Sequence, residues 1–185
     1  MTRNISRRRL LTGGTAVAAG LATPAVLAQT APRRNISGFQ AQNWQDHFKS
    51  LGRASLVADT GSRALHYWSP DGRDYRLYPT SVPRTEAMIR RGYTTVVRKR
   101  VGPDWTPTAA MREEDPSLPA YMPPGPENPL GTHALYLAWP AYLIHGTHDT
   151  RKIGRRSSSG CIGLYNENIA ELFELVEVGA QVRVI

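Results

Sequence analysis

Cysteine is almost absent from this chain of 185 residues, which contains only Cys161. A single cysteine excludes an intramolecular disulfide, and it leaves no Cys-x-x-Cys pair for a zinc site or a dithiol redox centre. The five histidines show no His-Glu-x-x-His or other metal-ligand spacing, so no metal site is predicted. Cys161 is therefore expected to be either a reactive thiol or a small buried apolar residue.

Two common catalytic loops are also missing. The stretch GRRS at 154–157 lacks the Gly-Lys-Ser/Thr ending of a phosphate-binding P-loop. The run SSSG at 157–160 lacks the Gly-x-Ser-x-Gly spacing that places a hydrolase serine on a sharp turn. These absences argue against P-loop nucleotide chemistry and against a serine-hydrolase elbow.

Residues 1–28 have the pattern of an export signal. Arginines at 7–9 precede an uncharged stretch rich in Ala, Gly, Leu and Val, which ends in small residues at 26–28. Paired arginines followed by two leucines are typical of the twin-arginine type, so we predict cleavage near Ala28 and a periplasmic protein. The alternative is an uncleaved anchor, but the stretch barely reaches the roughly 20 residues of a bilayer core. After cleavage no stable membrane insertion is expected.

The positive charge of the chain is concentrated in this signal. Removing residues 1–28 lowers the formal net charge from +8 to +4, because that segment carries four arginines and no acidic residue. A nucleic-acid partner is therefore not predicted. The remaining basic clusters, 98–100 and 151–156, are typical of a solvated face, with attraction to an anionic wall polymer or membrane surface as the alternative.

The rest of the chain is predicted to form a leader over 29–51 and one domain over 52–185. In the leader, Trp44, Phe48 and Leu51 fall at i, i+4 and i+7, which predicts a short helix that ends at Gly52. The length after the signal suits a single hydrophobic core. The sequence gives no indication of oligomeric state.

Short β-prone runs separated by turn signals dominate the larger domain. These runs lie at 55–58, 64–68, 75–78, 93–97, 134–137 and 142–144. Val182 and Val184 alternate as a closing strand. The regular spacing predicts a mainly β fold, a sandwich or barrel, with one or two short helices.

One helix is predicted before the closing strand. Apolar residues between Ile169 and Val176 fall at i, i+3, i+4 and i+7. Asn168 with Glu171 resembles a capping box and predicts the start of the helix, and Gly179 predicts its end. This helix belongs to the C-terminal region of the fold.

A proline-rich segment interrupts the strands. Seven prolines fall in 107–129, and a segment that long without regular structure is usually functional or disordered. Trp105 and Tyr121 favour a packed loop, and whether the loop acts as a lid stays open.

The parts of a cysteine nucleophile are all present in the chain. His145 ends the apolar run 142–144, where a base would emerge from a rigid strand into a glycine-bearing loop. Gly160 would let a substrate approach the backbone, and N–H groups from Ser159 to Cys161 could form an oxyanion hole. From the residues alone, a buried apolar cysteine and an unrelated histidine remain an equal alternative.

The stretch IHGTHDTRKIGRRSSSGCIGLYNENI, residues 144–169, resembles the signature of the L,D-transpeptidase catalytic domain family, also called YkuD-like. The family pattern is His-Gly-Thr, then Ile-Gly, then Ser-His-Gly-Cys-Ile-Arg-Leu/Met, with Asn two positions later. The WTPT at 105–108 and the NPLG at 128–131 resemble exported proteobacterial members. The similarity is strong over about 105–185 and extends back to about residue 52.

The resemblance implies an L,D-transpeptidase-like β-sandwich or barrel and acyl transfer on peptidoglycan stem peptides, donor and acceptor, without a cofactor. Cys161 would be the nucleophile, and His145 would be the base and then the acid, oriented by the carbonyl of Gly146. The thiol would attack the L-to-D peptide bond of the donor and release the terminal D-amino acid. An amine of a second stem would then resolve the acyl-enzyme and form a cross-link.

The chain departs from the family pattern at two positions. Ser159 stands where His is frequent, and Gly163 stands where Arg usually follows Cys-Ile. A guanidinium pairs well with a carboxylate, so the absence of that arginine bears on which part of the stem is recognised. Arg155 or Arg156 is the predicted substitute from the preceding loop.

Several neighbours have both a functional and a structural interpretation. Ser158 would contact substrate or His145, or hold the turn. Asn166 would bind substrate, or steady the turn and the helix start. Tyr142 and Trp139 would line the donor site, or pack in the core, which is the default for aromatic residues that flank a strand.

The predicted function is a peptidoglycan L,D-transpeptidase that cross-links stem peptides. One alternative is an L,D-carboxypeptidase, if water resolves the acyl-enzyme, or a transferase that attaches another protein to the wall. The other is a non-catalytic wall-binding member, which the glycine at 163 motivates.

Overall fold

Ten strands and two short α-helices form the regular structure of residues 38–185, the part of the chain that this computed structural model describes. The strands are β1 Ser55–Asp59, β2 Ala64–Trp68, β3 Tyr75–Pro79, β4 Val82–Pro83, β5 Gly92–Val101, β6 His133–Leu137, β7 Leu143–His145, β8 Arg156–Ser158, β9 Ile162–Gly163 and β10 Gln181–Val184. The helices are α1 Ala109–Glu114 and α2 Asn166–Leu175. The predicted signal peptide and the start of the leader lie outside the described residues.

Eight of the strands form one sheet in the order β3-β2-β1-β10-β5-β6-β7-β9, and β4 pairs with β8 in a small second sheet. The closing strand β10 lies in the middle, parallel to β1 and antiparallel to β5. At one edge, β9 runs parallel to β7. The predicted mainly β fold with one or two short helices is confirmed, and the predicted sandwich or barrel takes the form of a curled half-barrel with two helices. No helix in residues 38–185 is long and apolar enough to cross a membrane.

Strand alternation divides the apolar residues between two cores. In β1 and β2, Leu56 and Leu65 face the main core, whereas Val57 and Trp68 face a smaller cluster on the other side of the sheet. The period of two in a strand sends alternate side chains to opposite faces, so both faces are covered here. The segment around Phe48 covers the second face.

The predicted helix in the leader is wrong in extent. Only Trp44–Asp46 is helical, as a single 3₁₀ turn. Phe48 and Leu51 are nevertheless buried, because the segment packs them against Val57 and Trp68. The apolar spacing therefore marks residues that are buried on one side of the segment, and it does not indicate a continuous α-helix.

Helix α2 packs its buried Ile169 and Leu172 into the main core. The helix begins at Asn166, two residues before the predicted start, and it has no capping box. It ends at Leu175, and Gly179, with φ of +96°, belongs to the turn into β10 and does not cap the helix. The helix begins early because Leu164, directly after β9, donates its N–H to the carbonyl of His145, and the chain turns into the helix two residues later.

The proline-rich segment is folded. Trp105 and Met122 exchange both backbone hydrogen bonds, at 2.9 and 2.8 Å, which closes the segment into a hairpin-like loop that contains α1. The Asn128 amide donates to three carbonyl oxygens, including that of Pro103 at 3.0 Å. Tyr121 is 54% exposed, so of the two aromatic residues expected to pack, only Trp105 does.

Candidate active site

The two predicted catalytic residues lie at two neighbouring strands of the sheet edge, His145 within β7 and Cys161 just outside β9. His145 is the last residue of β7, as the sequence predicts, and Cys161 immediately precedes β9. In the parallel register His145 is opposite Gly163, so Cys161 is a diagonal neighbour two residues away. Both residues line the cavity described below, while Ile144 and Ile162, which pair with each other in β7 and β9, are buried in the main core.

The half-buried Cys161 side chain contacts backbone groups of Ala141 and Leu143, at the start of β7. Its Sγ lies 3.6 Å from the carbonyl oxygen of Ala141, and the N–H of Leu143 also points towards it. Burial raises the pKa of the thiol to about 11, and the Leu143 N–H opposes this by favouring the thiolate. Ala141 has φ of +57°, a costly conformation for a residue other than glycine, and it aims the carbonyl at the sulfur.

His145 has one defined tautomer. Its Nδ1 lies 2.5 Å from the carbonyl oxygen of Gly146, and because a carbonyl only accepts, Nδ1 carries the proton. Nε2 is then the basic nitrogen. Burial lowers the pKa of His145 to about 4; the Gly146 hydrogen bond raises it, and the charge of Lys152 lowers it further.

At neutral pH these pKa values describe an uncharged pair. The Cys161 thiol keeps its proton and the His145 imidazole has its Nε2 lone pair free. A group in this state can accept the thiol proton as the sulfur attacks a carbonyl, which is general base catalysis. The two groups therefore have the protonation states from which such catalysis would start.

Asn166 holds the loop that follows His145. Its Oδ1 accepts from the N–H groups of Thr147 and Thr132, each at 3.2 Å. It does not line the cavity described below. The structure thus gives Asn166 the steadying contacts that the sequence offered as one of its two interpretations.

The turn before Cys161 holds the predicted oxyanion residues. Ser158 Oγ donates to the carbonyl oxygen of Cys161 at 2.6 Å, and Gly160 adopts φ of +138°, which favours glycine. Within residues 38–185, the N–H groups of Ser159 and Cys161 donate to no protein acceptor. These two donors are free to bind a substrate oxygen, which is the property an oxyanion hole needs.

A cavity of about 280 Å³ opens over the two residues. Its wall is formed by Ser81, Asp104, Trp105, Thr106, Thr108, Met111, Pro129, Leu130, Tyr136, Ala141, Leu143, His145, Thr147, Lys152, Ser157, Ser158, Ser159 and Cys161. The proline-rich loop supplies one side, and the strands and the serine turn supply the other. Its size suits a short peptide segment and not a folded partner.

The predicted substrate-binding residues do not reach this wall. Tyr142 is buried in the main core, where burial raises its pKa to about 12, and it packs edge-on against Trp139. Arg156 pairs with Glu86 at 2.7 Å, and Arg155 is exposed outside the cavity. The structure therefore brings His145, Ser158, Ser159 and Cys161 together and leaves the predicted binding residues outside.

Position 163 faces the hydroxyl group of Ser81. Gly163 exchanges two backbone hydrogen bonds with Ser81, at 2.8 and 3.1 Å. A Cβ at 163 would overlap Ser81 Oγ and would lie 3.8 Å from Cε1 of His145. A serine thus occupies the space that an arginine side chain would have to cross.

Sequence reasoning missed several residues of the wall. Ser81 carries no local signal, since its place depends on a bridge to Gly163, 82 positions later along the chain. Lys152 lies within the basic cluster 151–156, for which the sequence predicts a solvated face. Among the described residues, no group of three or more His, Cys, Asp or Glu side chains is placed to hold a metal ion.

Comparison with known proteins gives a consistent result. A model of the YkuD family, described as the L,D-transpeptidase catalytic domain, matches residues 53–184. The chain is 60% identical, over the whole of both chains, to a Fuscovulum blasticum protein provisionally named an L,D-transpeptidase of the ATP synthase subunits region. It is 39% identical over 138 residues to the Escherichia coli K12 probable L,D-transpeptidase ErfK/SrfK, covering 72% of this chain and 44% of that one.

Solved structures show the same fold at low identity. An L,D-transpeptidase from Mycobacterium smegmatis superimposes with a TM-score of 0.57 at 24% identity, covering 72% of this chain and 58% of that chain. The crystal structure of an L,D-transpeptidase from Xylanimonas cellulosilytica gives 0.54 at 17% identity, covering 75% and 63%. The chain spans all of its Fuscovulum relative but only part of these longer proteins.

Proposed function

The chain belongs to the L,D-transpeptidase catalytic domain family, and on that premise we propose that it is a peptidoglycan L,D-transpeptidase acting through a Cys161 acyl-enzyme. The observation that carries the proposal is that Cys161 and His145 line the same cavity, His145 at the end of β7 and Cys161 directly before the adjacent strand β9. The substrates are the stem peptides of the wall, one as acyl donor and one as acceptor.

In the first half-reaction Cys161 Sγ attacks the carbonyl carbon of the donor's L-to-D peptide bond. The S–H proton passes to Nε2 of His145 while the carbonyl electrons move to its oxygen, towards the free N–H groups of Ser159 and Cys161. Collapse of the tetrahedral intermediate breaks the C–N bond. The leaving D-amino acid takes the proton from His145, which returns to its neutral form.

The second half-reaction runs the same steps in reverse with a new amine. An amine of the acceptor stem attacks the thioester carbon and loses a proton to His145. The C–S bond breaks, and the proton returns to Cys161. The product is a new amide that joins two stems, and thiol and imidazole end as they began.

The site of action follows from the same proposal. Peptidoglycan lies outside the inner membrane of a Gram-negative cell, so an enzyme that acts on it has to be exported. The arginine-containing segment 1–28 supports export by the twin-arginine route, with the active domain in the periplasm. A localisation assay of the double variant Arg8→Lys, Arg9→Lys would test the twin-arginine route.

Product analysis tests the reaction itself. Purified protein is incubated with disaccharide-tetrapeptides, and the products are identified by mass spectrometry. Cross-linked dimers support the proposal. Trimmed tripeptides alone would indicate an L,D-carboxypeptidase, and unchanged substrate together with a thiol inert to a carbapenem would indicate a non-catalytic wall-binding protein.

Two substitutions assign the residues. Cys161→Ala should abolish turnover and carbapenem acylation while circular dichroism stays unchanged, and full activity of this variant would refute the mechanism. His145→Ala should lower the rate about 10²- to 10⁴-fold, the usual contribution of a general base. His148→Ala is the matched control, since His148 is exposed on the same loop outside the cavity and its loss should leave the rate unchanged.

A further inference from the structure

The cavity wall carries few charged residues, and they differ in whether a salt bridge compensates their charge. Besides His145, the wall carries Asp104 and Lys152. Asp104 is paired with Arg100, so its charge is compensated. Lys152 forms no ion pair with any acidic side chain of residues 38–185, because nearby Asp149 is held by Arg151 at 2.8 Å. Lys152 is therefore the one lysine or arginine of the cavity wall, and it has no salt-bridge partner in residues 38–185, although its charge also acts on Asp149.

Lys152 lies close to the reacting groups. Its charge acts on His145, which is why it contributes to the low pKa of that imidazole. It ends the 3₁₀ turn Thr150–Lys152, whose N-terminal cap is Asp149, and its carbonyl accepts a hydrogen bond from Ser157 Oγ at 3.2 Å. These backbone contacts fix the base of the side chain, and the ammonium group makes no hydrogen bond or salt bridge within residues 38–185.

The position that the family motif gives to a cation carries no side chain here. A Cβ at 163 would meet Ser81 Oγ and lie 3.8 Å from Cε1 of His145, so a side chain at this position would approach the imidazole. Lys152 lines the same cavity wall as Ser81 and His145. Arg155 and Arg156, the predicted substitutes, do not line the cavity.

We propose that Lys152 is the specificity-determining residue that binds a carboxylate of the donor stem beside the scissile bond. This inference deepens the proposed function and rests on it. An ammonium group that lacks a protein partner and lines a peptide-sized cavity is suited to an anionic ligand. Two donor carboxylates have this chemistry, that of the departing D-amino acid and that on the side chain of the residue being acylated.

The test combines protein and substrate changes. Initial rates are measured for wild type and Lys152→Met with three donors: unmodified tetrapeptide, tetrapeptide with an amidated C-terminus, and tetrapeptide with an amidated diaminopimelate carboxylate. Loss of a charge-assisted contact should lower kcat/KM of Lys152→Met about tenfold or more on the unmodified donor. One amidated donor should lower the wild-type rate similarly and remove the difference between the two proteins, which identifies the carboxylate.

Controls separate this inference from the proposed function. Lys49→Met makes the same substitution at an exposed position outside the cavity and should behave as wild type. Lys152→Arg should restore most of the rate. Cys161-dependent turnover with equal kcat/KM for wild type and Lys152→Met would overturn the role of Lys152 and leave the function standing. Absence of Cys161-dependent turnover on every donor would overturn both.

Discussion

Replacing Gly163 by alanine tests whether Ser81 fills the space that the family motif gives to arginine. The new Cβ would overlap Ser81 Oγ, while Ser81 Cβ would lie at an ordinary contact distance of 3.7 Å. The two residues cannot separate easily, because their backbones share hydrogen bonds of 2.8 and 3.1 Å. The clash has to be relieved by rotation of the serine or by a shift of β9.

The expected cost combines two opposing effects. Overpacking of one methyl group costs about 1–3 kcal/mol. Alanine in a strand gains about 0.5–1 kcal/mol over glycine, because the unfolded chain loses less freedom. The net loss of stability for Gly163→Ala is therefore about 1 kcal/mol, which lowers Tm by about 2–4 °C in a domain of this size.

Removing the serine hydroxymethyl group should relieve the clash. Denaturant unfolding of wild type, Gly163→Ala, Ser81→Gly and the double variant gives the coupling between the two positions. We expect the alanine to be neutral or stabilising in the Ser81→Gly background, with a coupling of about 1–2 kcal/mol. Equal costs of Gly163→Ala in both backgrounds would refute the steric explanation for glycine at this position.

Two further outcomes follow from the electrostatics and the loop contacts of the site. The pH profile of kcat/KM should be flat between the pKa of His145, about 4, and the pKa of Cys161, about 11. Below this range kcat/KM should fall, because the imidazole of His145 takes up a proton and can no longer act as a base. An acid limb centred at the ordinary histidine pKa of 6.5 would contradict the neutral pair. Asn166→Ala should cost about 1–3 kcal/mol of stability and also lower activity, because the N–H groups of Thr132 and Thr147 lose their acceptor, whereas Asn166→Asp keeps an acceptor there and should retain more of both.

Local patterns in the sequence were sufficient for most of the sheet. Alternation and turn signals located β1, β2, β3 and β6 closely, because each of these strands has its own apolar residues and its own flanking turns. The two-residue strands β4 and β9 were not predicted. They exist only through pairing with distant segments, so no local pattern marks them.

The residues of the candidate site also divide into those that a local pattern predicts and those that depend on long-range contacts. His145, Cys161 and the serine turn were predicted because they lie within one contiguous motif. Ser81 and Lys152 were not, since the first depends on a long-range bridge and the second on the direction of one side chain within a basic run. Arg156, in contrast, is predicted to bind substrate because of its charge, but in the structure it forms an ion pair with Glu86.

If both proposals hold, substrate binding changes the chemistry of the base. In the free protein the charge of Lys152 opposes protonation of His145, adding to the effect of burial. A carboxylate bound at Lys152 neutralises that charge, so the imidazole becomes easier to protonate when the donor is in place. The thiol proton then has a better acceptor in the complex than in the free enzyme. Cys161 would thus remain a protonated thiol until the donor arrives, which limits its reaction with other electrophiles because the thiolate is the reactive form.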